Sequence, residues 1–195
     1  MEKNRLEAFS DGGLAIIITI MVLELKVPQA TGVADLKPVL PALASYVLSF
    51  IYVGIYWNSH HHLFHSTRHV TGGILWANLH LLFWLSLFPF TTAWVGENHL
   101  ASTPTAVYGF VLLRAAIAYY ILQRAIIVQQ GRDSLLASAI GKDWKGKLSP
   151  VLYLVAIPLA YLSSWIANGL FVLVALIWLV PDRRIERAVV KQGKQ

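Results

Sequence analysis

The chain has 195 residues, of which 56% are hydrophobic and 13% charged, with a net charge of +6 and a positive mean hydropathy of +0.58. A soluble domain carries roughly 25% charged residues, so this composition excludes an ordinary soluble domain and indicates an integral membrane protein. The absence of cysteine excludes disulfides, thiolate metal sites and cysteine nucleophiles.

Each bilayer crossing takes about 20 mainly apolar residues. On that scale the chain offers six segments, at about residues 6–25, 39–57, 74–94, 106–122, 148–165 and 167–180. Short loops with Pro, Gly, Asn or charge separate them, so residues 1–195 read as a single all-α membrane domain. The first segment has acidic residues at both ends and lacks the basic flank and small-residue cleavage site of a signal peptide, so it is expected to be retained.

Orientation follows from Lys and Arg, which are held on the cytoplasmic side. With both termini inside, all of the 16 basic residues except Lys26, Lys37 and Arg114 fall in cytoplasmic segments. An odd number of crossings would break that pattern. The basic balance is therefore a topology signal, and no nucleic-acid partner is expected because no soluble domain carries a basic stripe with stacking aromatics. The tail DRRIERAVVKQGKQ reads as a plain solvated tail, with contact to anionic lipid headgroups as the alternative. Trp57, Trp94, Trp165 and Trp178 stand near segment ends, as aromatic belts do.

The first segment, RLEAFSDGGLAIIITIMVL, puts Arg5, Glu7, Ser10 and Asp11 directly against a run fit for lipid. At helical spacing Arg5, Asp11, Gly12, Ile16, Thr19 and Leu23 share one broad face with Ile20 at its edge, and Leu14, Ile17 and Met21 lie opposite. Ionisable groups within a membrane face the bundle interior or a water-filled cavity. Arg5 and Asp11 are six apart and miss the favoured helical pair spacings, so each is expected to pair with another helix or across a subunit contact. The same stripe of small and hydroxyl residues also reads as ordinary helix packing in lipid.

The second segment ends in YWNSHHHLFHSTRH, where His60, His61, His62, His65 and His69 crowd together at near-helical spacings. No Asp or Glu accompanies them, which argues against a metal hydrolase; a pH-sensitive or purely structural polar cluster is the expectation. Arg114, within the fourth segment, requires a compensating neighbour that the sequence does not name. His80 and Asn168 read as packing hydrogen bonds. There is no phosphate loop, no G-x-S-x-G elbow and no intramembrane carboxylate pair, so the chain does not read as an enzyme. Nor is there a Thr-Val-Gly-Tyr-Gly filter loop.

Arg5-x-x-x-Phe9-Ser10-Asp11, followed by Ala15, Ile16, Thr19, Leu23 and Pro28, resembles the signature of the transmembrane protein 175 family, the potassium channels of endosomes and lysosomes with their bacterial relatives. The stretch Trp57-Asn-Ser-His-His-His resembles that family's pattern as well. A chain with one such motif is similar to the bacterial single-repeat form. The resemblance implies a homotetramer with the first helices lining a central pore, Ile16 as its apolar constriction, Thr19 as a hydroxyl layer, and Ile20 and Leu23 as further apolar layers. Arg5, Phe9, Ser10 and Asp11 match the motif that ties the helices together. Gly13 departs from it, standing where a bulkier apolar residue is expected.

The expectation is a potassium-selective cation channel of a bacterial plasma membrane, with no cofactor beyond the permeant ion and with lipid and further copies of itself as partners. Uncharged hydroxyl ligands predict only a modest preference for potassium over sodium. A proton- or ion-coupled secondary transporter using Asp11, Arg114 and the histidines is the alternative. Carriers usually show paired interrupted helices, and the sequence offers no such pair.

Overall fold

In a lipid environment every backbone polar group has to be satisfied within the protein, and helices do this segment by segment. A computed structural model describes residues 3–28, 31–65, 67, 69–131 and 144–179, and those residues are helical apart from short connections. The predicted boundary at Val180, the basic tail, and Arg68, Arg132 and Lys142 lie outside the described residues.

The elements are α1 (Lys3–Leu23), a short 3-10 helix (Val33–Val39), α2 (Leu40–His65), α3 (Gly72–Leu85), α4 (Phe88–Glu97), α5 (Ser102–Gln130), α6 (Trp144–Leu162) and α7 (Ser164–Leu179). Among the described residues four stretches are long and apolar enough to cross a membrane: Lys3–Leu23, Val33–His65, Gly72–Glu97 and Ser102–Gln130. The fold is thus an all-helical membrane bundle, completed by the shorter apolar α7 and by α6.

Local sequence sets the ends. Thr71 caps α3, its Oγ1 accepting from the Ile74 amide. The predicted continuous third segment is broken at Ser86 and Leu87, because Pro89 sits in the first turn of α4 and cannot donate back to the preceding turn. Gly131, at φ 92°, closes α5 in a backbone region that glycine tolerates. The predicted fifth and sixth segments part at Ser163. α1 runs unbroken through Gly12 and Gly13, so the glycine pair does not interrupt it.

α1 packs on α2, α3 and α4, whereas α5 is the hub, meeting α3, α4, α6 and α7. Buried hydroxyls tie the inner helices together. Ser49 Oγ stands 2.7 Å from Thr92 Oγ1 and 2.9 Å from Tyr108 Oη, joining α2, α4 and α5, and Tyr52 Oη donates to the Phe171 carbonyl of α7 at 2.6 Å. Such bonds average only about 0.6 kcal/mol inside membranes, so they fix register more than they stabilise.

Gly96 is buried where α4 crosses α2, and a Cβ there would stand 2.6 Å from Ala42 Cα. The obstacle is backbone and cannot swing aside. Gly96→Ala is therefore expected to destabilise the bundle by about 1–3 kcal/mol. The check is a lowered melting temperature in detergent, set against Gly169→Ala, where a Cβ meets nothing within 4 Å and the melting temperature should hold or rise.

Candidate functional site

α1 presents two unlike faces. Leu6, Ser10, Leu14, Ile17 and Met21 recur every three or four residues and are buried against the rest of the helical bundle. Around the remaining surface Phe9, Ile16, Ile20 and Leu23 are 58%, 60%, 42% and 75% exposed, and Arg5, Asp11 and Thr19 are exposed too. No described residue covers this apolar and hydroxyl face.

The buried face is held by a polar relay. Ser10 Oγ donates to the Leu6 carbonyl at 2.9 Å and accepts from Asn78 Nδ2 at 2.9 Å. Because the Asn78 amide nitrogen is spent on Ser10, its Oδ1 faces His60 Nε2 at 2.8 Å and requires a proton on that nitrogen. Ser10 and Asn78 are fully enclosed and His60 is nearly so, and the three join α1, α3 and α2. His60 also packs on Phe64, ring centroids 4.5 Å apart.

Asp11 lies beside this relay rather than in it: its Oδ1 accepts from Trp57 Nε1 at 3.1 Å. Trp57, expected as a belt residue and as part of the family's pattern, so ties α2 to α1, and its ring stacks on His61 at 6.1 Å. Arg5 makes no ion pair or hydrogen bond among the described residues. The histidine cluster divides. His60 turns inward, while His61 and His65 are exposed and His62 is half-buried, with His61 to His62 and His61 to His65 centroids 5.8 and 6.3 Å apart. Among the described residues no group of three or more His, Asp or Glu could hold a metal ion.

Arg114 meets a ring instead of an acid. Its guanidinium carbon sits 4.8 Å from the centre of the Trp84 ring, and Trp84 Nε1 donates to His80 Nε2 at 3.0 Å. Trp84 belongs to the last turn of α3, whose carbonyls are met by Ser86 and Leu87. The π face offsets the cation, although Nε itself is buried without a partner among the described residues. Asn168 Nδ2 donates to the Ser164 carbonyl and to Thr105 Oγ1 at 2.8 and 3.3 Å, a packing role. Neither Asn78 nor the Trp84 ring was among the residues singled out in the sequence. The signal for Asn78 was a lone amide within the apolar run ILWANLHLL.

Comparison with known proteins fits this arrangement. The family described as the endosomal/lysosomal potassium channel TMEM175 matches residues 5–89. A potassium channel of Chryseobacterium sp. strain P1-3 is 56% identical over 189 residues, covering 97% of this chain and 98% of its relative. The chain belongs to the TMEM175 family.

The TMEM175 match contains all of α1 past Asn4 and the whole Ser10, Asn78 and His60 relay, whereas Arg114 lies beyond it. A crystal structure of a lysosomal potassium-selective channel TMEM175 homolog from Chamaesiphon minutus superposes with a TM-score of 0.79 at 31% identity, over 92% of this chain and 97% of that one. A zebrafish relative described as the endosomal/lysosomal proton channel TMEM175 is 26% identical over 92% of this chain but only 36% of its own length. These relatives are channels, and the chain is not an enzyme.

Proposed function

We propose that the chain is a potassium-selective cation channel of a bacterial plasma membrane: a homotetramer, six crossings per subunit, both termini cytoplasmic, with four copies of α1 around a central pore. The observation that carries this reading is the open face of α1. Ile16, Thr19, Ile20 and Leu23 are left uncovered by their own subunit while Ser10 clamps the opposite side. The 56% identical relative and the Chamaesiphon homolog, both described as potassium channels, support it.

The face has a plain chemistry. At about 1.5 Å per residue, Thr19 and Ile20 form rings about 5 Å beyond Ile16, with Leu23 about 10 Å beyond it. Apolar rings close a pore by dewetting or by side-chain contact. Thr19 Oγ1 donates its proton to the Ala15 carbonyl at 2.9 Å, so its lone pairs are turned to the open side. Four such oxygens replace part of a cation's water, with no charge to bind it tightly. Arg5 and Asp11, exposed on one subunit, are the groups placed to meet a neighbouring one, and His61, His62 and His65 form a pH-responsive or structural patch at the cytoplasmic mouth.

The test is single-channel recording of purified protein in lipid, with reversal potentials in asymmetric potassium and sodium. Unitary currents with modest potassium preference are expected, and Thr19→Val is expected to bring the permeability ratio several-fold closer to one. An unchanged ratio would move selectivity to the apolar rings. Slow, saturable flux without unitary events would favour a coupled carrier. The zebrafish relative's description favours a second reading, proton conduction. Reversal potentials that follow a pH gradient in symmetric potassium would put it first.

A further inference from the structure

Arg114 stands near the middle of its helix's path through the bilayer. It lies about 18 Å along α5 from Ser102 and about 15 Å from Arg124, the next charged residue of that helix, and together these lengths match the roughly 30 Å hydrocarbon core. Headgroups of either leaflet are out of the guanidinium's reach. The Trp84 ring gives the cation a π face but no hydrogen-bond acceptor, and Arg114 makes no hydrogen bond or ion pair among the described residues. A cation held out of water on a ring alone is under-compensated, so it calls for an anion carried by protein.

Among the described acids, Asp11 has the matching depth. The bond from Asn78 to Ser10 sets α1 and α3 level at those residues. Asp11 is the next residue of α1, and the Trp84 indole reaches back to His80, two residues on from Asn78 and so about 3 Å along α3. The guanidinium on that ring and the Asp11 carboxylate therefore lie at nearly the same depth. Glu7 is a turn nearer the start of α1, Glu24 follows its last residue, Asp35 accepts from the Gly32 amide and Glu97 pairs with Lys26. The Asp11 carboxylate is also half open: Oδ1 accepts from Trp57, and Oδ2 has no partner among the described residues. Yet the two groups face different ways. Asp11 opens beside Trp57, on the α2 flank of α1, whereas Arg114 opens beside the exposed rings of Phe83 and Phe110, which pack on Trp84 on the α3 and α5 flank.

We propose that Arg114 of one subunit pairs with Asp11 of the next, through the carboxylate oxygen that Trp57 leaves open. The pairing rests on the tetramer inferred above. A closed ring of four has head-to-tail contacts, which set one flank of each subunit against the opposite flank of its neighbour. The guanidinium then donates charge-assisted hydrogen bonds to Oδ2, and Trp57, Phe83 and Phe110 shut lipid out of the contact. Arg5, about 9 Å nearer the start of α1 than Asp11, is left to the polar end of the bundle.

Dissociation of the full-length tetramer on dilution, followed by native mass spectrometry, tests the pairing. Arg114→Gln and Asp11→Asn, the latter keeping the acceptor for Trp57, are each expected to weaken the tetramer about a hundredfold, because each leaves one charge buried alone. The double variant removes both charges and is expected to be no weaker than either single. The chain has no cysteine, so co-expressed Asp11→Cys and Arg114→Cys chains with different tags should be joined by a short thiol-reactive linker into a dimer carrying both tags. If a single variant fails to fold, the double variant and the linked dimer decide. Losses that multiply in the double variant, or no two-tag dimer from an intact tetramer, overturn the proposal. So does an Arg114→Gln tetramer as stable as the parent's; if that variant has lost a co-purified anionic lipid, the lipid is the occupant. A parent protein without a tetramer mass removes the assembly on which the pairing rests, a failure read from the parent alone and so distinct from the others.

Discussion

Ile16→Asn is expected to raise the unitary potassium current about fivefold, which corresponds to removing roughly 1 kcal/mol from the conduction barrier. The side chain is 60% exposed on the subunit and stands outside the buried stripe that packs α1, so its replacement leaves the bundle intact. In the proposed tetramer four copies meet at one level, where an apolar ring holds no water. Asparagine carries two N–H donors and a carbonyl oxygen acceptor into that ring and lets water bridge it. Recording the variant at fixed voltage beside native-gel mass gives the answer. A tetramer with unaltered current would shift the constriction to Ile20 or Leu23.

Asn78→Leu is expected to cost about 2 kcal/mol of stability. A membrane hydrogen bond is worth about 0.6 kcal/mol on average, so losing two would give little more than 1. Here, however, the His60 N–H and a Ser10 lone pair are left buried without partners, and each unmet group costs about 1–3 kcal/mol in protein interiors. The second effect wins. Ser10→Ala should cost less, since only one Asn78 donor is orphaned and the Leu6 carbonyl keeps its place in the helix. Melting curves of the two variants in the same detergent check the order. A Ser10→Ala protein less stable than Asn78→Leu would contradict this account of the relay.

Much of this was legible in the sequence for reasons of period and composition. Apolar runs of membrane length locate the helices, and the spacing from Asp11 through Leu23 already separates the exposed face of α1 from Leu14, Ile17 and Met21. What stayed hidden were choices between partners far apart in the chain. The row of histidines reads as one cluster because they are neighbours in sequence, yet Ser49, Tyr52, Tyr56, His60 and Phe64 form the inward stripe of α2 and carry one ring away from the rest. Asn78 and Ser10 are 68 positions apart, and no periodicity announces that they meet. Arg114 needs a compensating neighbour, and no spacing in the sequence says that it is the Trp84 indole at the end of α3. The third segment broke because a proline's missing donor outweighs an apolar run that is otherwise continuous.

The relay beneath α1 also bears on protons. Its middle member is a carboxamide, which neither gains nor loses a proton near neutral pH, and its last acceptor is a backbone carbonyl. Hydrogen bonds run through it from ring to helix, but a hop begun at His60 has nowhere to go. The arrangement is an insulator built from the same polar atoms that would otherwise make a wire, and any proton current carried by this protein runs outside it.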